Sequence, residues 1–172
     1  MKKICLIFLF SFVTHTIYSQ DFFKTTEEYI DNTVEKTGFD RDKIFIVNSS
    51  NHDFVKDVIN NQLFAFLGIV NNSEFYSASE LDIPSCWGQF LELYKSVQKG
   101  DVSISSKKIV DISYLKDLPL ENNKKIVVFI YLSDMKKRHV KNTIHPILNE
   151  IKKDSTFDYI VLSMDYNRII NH

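Results

Sequence analysis

Apolar positions in TTEEYIDNTVEKTG, residues 25–38, recur at helical spacing: Ile30 and Val34 share a face, Thr25 and Glu28 form a capping box, and Gly38 can close the end. The run KIFIVN that follows is β-branched and aromatic, of strand length, and bounded by polar turn residues. A second helix is predicted from Ser50, a favourable N-cap with Asp53 in the first turn, through Phe54, Val55, Val58 and Ile59. LFAFLGIV, residues 63–70, is apolar throughout, as strands buried on both faces are. Strand, short helix and strand in that order predict a crossover unit whose two strands run parallel.

Residues 71–84 hold turn formers without clear periodicity and read as a loop with one helical turn. Trp87, Phe90, Leu91 and Tyr94 then fall at offsets of zero, three, four and seven, predicting a helix over 85–98 that ends near Gly100. Residues 102–123 alternate weakly, enough for one or two short edge strands. The clearest unit comes last: a strand in KKIVVFIYLS, a helix from about Met135 to Lys153, and a strand in FDYIVLSMD. These elements predict an α/β fold, with a central mostly parallel or mixed sheet of four or more strands and helices on both faces.

The first residues, MKKICLIFLFSFVTHTIYSQ, change where this domain is expected to work. Two lysines, an apolar stretch and then small and polar residues are the layout of a secretory signal peptide, predicted to be cleaved after Ser19. The expected organisation is a signal peptide at 1–19 and a single domain at 20–172, exported to the periplasm or outside the cell. The apolar stretch is shorter than the ~20 residues a spanning helix needs, so no membrane span is expected. Cys5 lies too early to be a lipid-modified cleavage site. Without the leader, 19 basic and 22 acidic side chains remain, a net charge of −3 that offers no electrostatic footprint for nucleic acid.

Cys86 would then be the one cysteine, which excludes an intramolecular disulfide, a CxxC redox pair and a cysteine-based zinc site. It follows Pro84 and Ser85 at a predicted helix start, where a thiol pKa is lowered, and this makes it a candidate catalytic nucleophile. Cys86-Trp87 resembles the helix start of papain-like cysteine proteases, a likeness that would assign His139 or His145 as base and Asn142 or Asn149 as its orienter. The competing reading, a cysteine buried beside a core tryptophan, is the commoner fate of a lone thiol.

His139 and His145 are six positions apart and so lie on different faces of a straight helix, while His52 and His172 show no ligand spacing. No metal and no cofactor are expected. The basic run Lys136, Lys137, Arg138, His139 and Lys141 sits at a helix start, where the dipole disfavours cations unless they help to hold an anion. Arg138, His139 and Lys141 are therefore the candidate binding residues for phosphate, sulfate or carboxylate, set against a merely solvated charged surface. Asp158 and Asp165 flank the last strand; Asp165 and Tyr166 fall at the rim where α/β sheets bind ligands, but both aspartates read as turn or cap residues.

IHPILNEIKKD, residues 144–154, followed by FDYIVLSMDYN, residues 157–167, resembles the thioredoxin superfamily, in which a buried strand leads to a proline-kinked helix and a second strand ending in an acidic residue. The likeness covers residues 124–167, with Pro146 in the place of the kink proline. It puts Arg138, His139, Val140 and Lys141 where the family carries CxxC, so it implies the scaffold without the redox chemistry. The family's Ile-Pro pair, which precedes a hairpin and a closing helix, is matched earlier in this chain by Ile83 and Pro84. A complete, a permuted and a truncated order of elements all stay open. The expectation is an exported, redox-inactive thioredoxin-like domain acting as a binding or structural module for a protein or a small anionic ligand. Its alternatives are an enzyme using Cys86 and an anion-binding protein using the helix start.

Overall fold

The computed structural model describes residues 22–48, 65–100, 104–109, 115, 118–120 and 123–171. The expected leader at 1–19 and the helix expected from Ser50 lie outside them. Strand β1, Phe23–Thr25, leads into helix α1, Thr26–Thr37. Thr25 Oγ1 accepts the Glu28 amide at 3.2 Å, and the Glu28 carboxylate reaches back to the Lys24 amide at 2.7 Å, so the capping residues close the helix start from both sides. At the far end Gly38 takes the left-handed conformation, φ 73°, and returns its amide to the Val34 carbonyl at 2.8 Å.

A six-stranded mixed sheet follows, in the order β2-β7-β6-β3-β4-β5. Its strands are β2 Ile44–Ile46, β3 Phe66–Asn71, β4 Glu74–Ser77, β5 Ser106–Lys108, β6 Lys125–Tyr131 and β7 Phe157–Ser163. Strands β2, β7 and β6 run parallel, and β3, β4 and β5 continue the sheet antiparallel. Inner places go to β7, β6 and β3 because their runs are apolar on both faces, as β6 shows. Val127, Phe129 and Tyr131 point to one side, Ile126, Val128 and Ile130 to the other, and all six are buried.

Helix α1, helix α2 at Cys86–Lys99 and helix α3 at 137–151 pack on the first side through Tyr29, Phe90, Leu93, Ile144, Ile147 and Ile151. On the second side Leu67, Val70, Phe75, Ile160 and Leu162 pack with Leu115. The α/β class and the central mixed sheet expected from the sequence are present; α1, α2 and α3 cover one side, and Leu115, itself helical, packs on the other. The last crossover unit also stands as read, with β6 and β7 paired in parallel from Lys125 and Phe157 to Tyr131 and Ser163.

The first crossover unit does not. Strands β2 and β3 are separated by β7 and β6 and run antiparallel to one another. The segment read as a loop at 71–84 begins instead as a hairpin. Asn72 and Ser73 both adopt positive φ, 49° and 64°, which turns β3 into β4 within two residues. Gly68 stands where β3 slips register against β6, and an added Cβ there would meet the Tyr76 carbonyl and the Phe75 ring.

Pro146 has the effect its chemistry requires. It lacks an amide hydrogen and crowds the preceding turn, and α3 responds with a π-helical turn at Val140–Ile144, in which the His145 amide reaches the Val140 carbonyl. Outside the main sheet, β1 pairs in parallel with β8, Ile169–Asn171, so that Phe23 faces Ile169.

Candidate functional site

Two Leu-Ser pairs end the central strands: Leu132-Ser133 follows β6 and Leu162-Ser163 closes β7. At this carboxyl edge the chain assembles a buried polar cluster. Asp165 Oδ2 accepts the Ser133 amide at 2.6 Å and the Tyr29 hydroxyl, delivered by α1, at 2.9 Å. The Tyr29 and Ser163 hydroxyl oxygens lie 2.5 Å apart. Arg168, at the end of the short turn Tyr166–Arg168, supplies the cation. Its Nε is 3.2 Å from Asp165 Oδ1, Nη1 donates to Ser133 Oγ at 2.9 Å, and Nη2 donates to Asp134 Oδ2 at 2.8 Å.

The electrostatics follow from burial. Asp165 is 1% exposed, and burial pushes its carboxyl above the ordinary range against the pull of the Ser133 amide, the Tyr29 hydroxyl and the Arg168 charge. Burial also raises the Tyr131 hydroxyl, to about 12, with the Asp165 charge adding to it, and raises Tyr29 further still for the same two reasons. Both phenols therefore stay protonated at neutral pH.

Beside this cluster lies an open groove of about 360 Å³, lined by Leu132, Asp134, Met135, Lys136 and His139. Its position between the end of β6 and the start of α3 is where α/β sheets tend to hold ligands. Arg168 fixes one wall by bridging Ser133 and Asp134. Lys36 of α1 approaches the Ser133 carbonyl at 3.5 Å, adding a further cation near the rim.

No family model, curated protein or solved structure matches this chain. The chemistry of the site therefore stands on its own geometry. Among the described residues no group of three or more His, Cys, Asp or Glu side chains is placed to hold a metal ion, and no helix is long and apolar enough to cross a membrane.

The residues expected to bind an anion are only partly brought together. Arg138, His139 and Lys141 are all exposed, and of the three only His139 lines the groove, joined there by Lys136. The amides of His139 and Val140 already bond the Lys136 carbonyl, at 2.8 and 3.3 Å, so they are not directed at a ligand. Val140 itself packs into the core.

Cys86 is the first residue of α2, behind the Ser85 cap, as the sequence suggests. The expected lowering of its pKa is reversed: burial raises the thiol, outweighing the backbone hydrogen bonds of Cys86 and Phe66. It packs against the core next to Trp87, whose ring stacks on Phe90 with centroids 5.6 Å apart. The residues proposed to serve it, His139, His145, Asn142 and Asn149, are exposed on α3.

Asp158 is structural, held by Lys43 at 2.7 Å and Lys124 at 3.5 Å. Burial alone would raise its carboxyl, but the Lys43 hydrogen bond, the Tyr159 amide and the two lysine charges leave it below the ordinary range. Asp165 stands at the N-cap of the Tyr166–Arg168 turn, as read, its carbonyl accepting the Arg168 amide at 2.8 Å, but its carboxylate does not cap that turn and is instead the hub of the cluster, a role that sequence spacing does not encode. Tyr29, Ser133, Ser163 and Arg168 were equally missed, and the one available signal was the serine closing each central apolar run.

Proposed function

We propose that this chain is an exported, redox-inactive thioredoxin-like module that binds a small anionic ligand in the groove between Leu132 and His139. The observation that carries the reading is the groove itself, open at the carboxyl end of the central strand and flanked by Lys136 and His139. Two features favour the thioredoxin-like part. Strand β6 is central, between parallel β7 and antiparallel β3, and α3 distorts at Pro146. A hairpin followed by a helix, here β3, β4 and α2, precedes β6 instead of following β7, which corresponds to the permuted alternative. Against redox or thiol chemistry stand Arg138, His139, Lys141 and the buried Val140 where thiols would be needed, and a Cys86 thiol raised by burial.

The test is a titration of residues 20–172 with inorganic phosphate and with octanoate, followed by backbone amide shifts. Binding should move resonances of 132–139 first, and Lys136→Glu should weaken it. Shifts scattered over the whole surface, or none at millimolar ligand, would reject the reading.

A further inference from the structure

We infer that the outer edge of the Arg168 guanidinium is a carboxylate-binding subsite of this groove, covered in the resting protein by its own Asp134. The inference rests on the groove being the binding site. Two of the three contacts Arg168 makes are internal, to buried Asp165 and to Ser133 Oγ, and they fix the plane of the guanidinium. The third points outward. Nη2 meets Asp134, whose side chain is 62% exposed while that of Arg168 is only 17% exposed. Asp134 also lines the groove.

A preorganised, largely desolvated arginine is thus faced by an exposed carboxylate that itself lines the groove. Arginine forks match carboxylates geometrically, and one already held in plane loses little further freedom on binding. Among the described residues Asp134 is held by a single hydrogen bond, and its own side chain is exposed, so a ligand carboxylate delivered by the groove can replace it. Leu132 and Met135 provide apolar side chains beside it, and Lys136 and His139 add cationic or hydrogen-bonding groups. The ligand class is a small molecule with an apolar body and one carboxylate. The exchange is a substitution of one carboxylate for another, with no covalent step.

Octanoate and its uncharged analogue octanamide are the probes, titrated at pH 7 by calorimetry into wild type and Asp134→Asn. Removing the internal competitor should tighten octanoate by roughly two- to fivefold, the range an exposed ion pair spans, and leave octanamide unchanged. Arg168→Lys should weaken octanoate at least tenfold in both backgrounds, because it lacks the fork. The probe comparison decides the question even if that variant fails to fold. Equal octanoate affinity in wild type and Asp134→Asn overturns the subsite while leaving the groove reading intact. Equal gains for octanoate and octanamide overturn it as well. No binding of either probe to either protein removes the groove reading and the subsite with it.

Discussion

Gly68→Ala is the substitution for which the fold makes the sharpest demand. Gly68 pairs with Val128 of β6 on one side and Ser77 of β4 on the other, in the interior of the sheet. A methyl group there would overlap the Tyr76 carbonyl oxygen and stand 2.8 Å from two carbons of the Phe75 ring. A side chain can turn away, but a carbonyl inside a ladder moves only if β4 recedes, by roughly 1 Å, which is strain of the kind that costs about 1–3 kcal/mol. Stretching one or two ladder hydrogen bonds adds about 1 kcal/mol each, bringing the loss to about 2–5 kcal/mol. That is a large part of the ~5–15 kcal/mol that holds a domain together. Urea unfolding followed by Trp87 fluorescence, the one tryptophan, should show the midpoint falling by about 1–2.5 M for a slope near 2 kcal/mol per molar. Adding Phe75→Leu should recover little, since the carbonyl remains. A loss under ~1 kcal/mol, or full rescue by Phe75→Leu, would refute the placement of β4 against β3.

Three further outcomes follow from the described contacts. Because burial holds Asp165 above its ordinary pKa, its native form keeps a proton that the unfolded chain has lost, so wild type should lose stability as pH rises from about 4 through that raised value. Asp165→Asn cannot ionise and should flatten that part of the curve; an unchanged slope in urea midpoints between pH 4 and 7 would contradict it. Asp158 carries the opposite sign, its stabilisation present above about pH 4 and lost as pH falls through its depressed value, and Lys43→Met should shrink this acid loss. Cys86 should react with iodoacetamide in the native protein at least tenfold more slowly than in urea, as a raised, half-buried thiol does; equal rates would revive the nucleophile.

What could be read from the sequence was local. Thr25, Glu28 and Gly38 cap α1, Ser85 and Gly100 cap α2, and the double-faced apolar runs of β6 and β7 announce central strands, because each of these signals lies within a few residues of its effect. Pairing was less legible. β2 lies beside β7 instead of β3, and nothing in KIFIVN chooses between two equally apolar partners. The hairpin at Asn72 and Ser73 was within reach, since adjacent residues tolerant of positive φ are its usual mark, but the polar stretch around it hid the short strand β4. The Asp165 cluster joins α1, the ends of two strands and a terminal turn, and no window along the chain contains more than two of its parts.

The parallel ribbon of β1 and β8 bears on timing. Tyr29 and Asp165 are 136 positions apart in sequence, and β1 finds its partner only at Ile169–Asn171. A chain that emerges amino end first presents Phe23 and Tyr29 long before the strand and the aspartate that complete their surroundings. Closure of this ribbon therefore waits for β8. A version ending at Met164 should remain open to protease where the full chain resists.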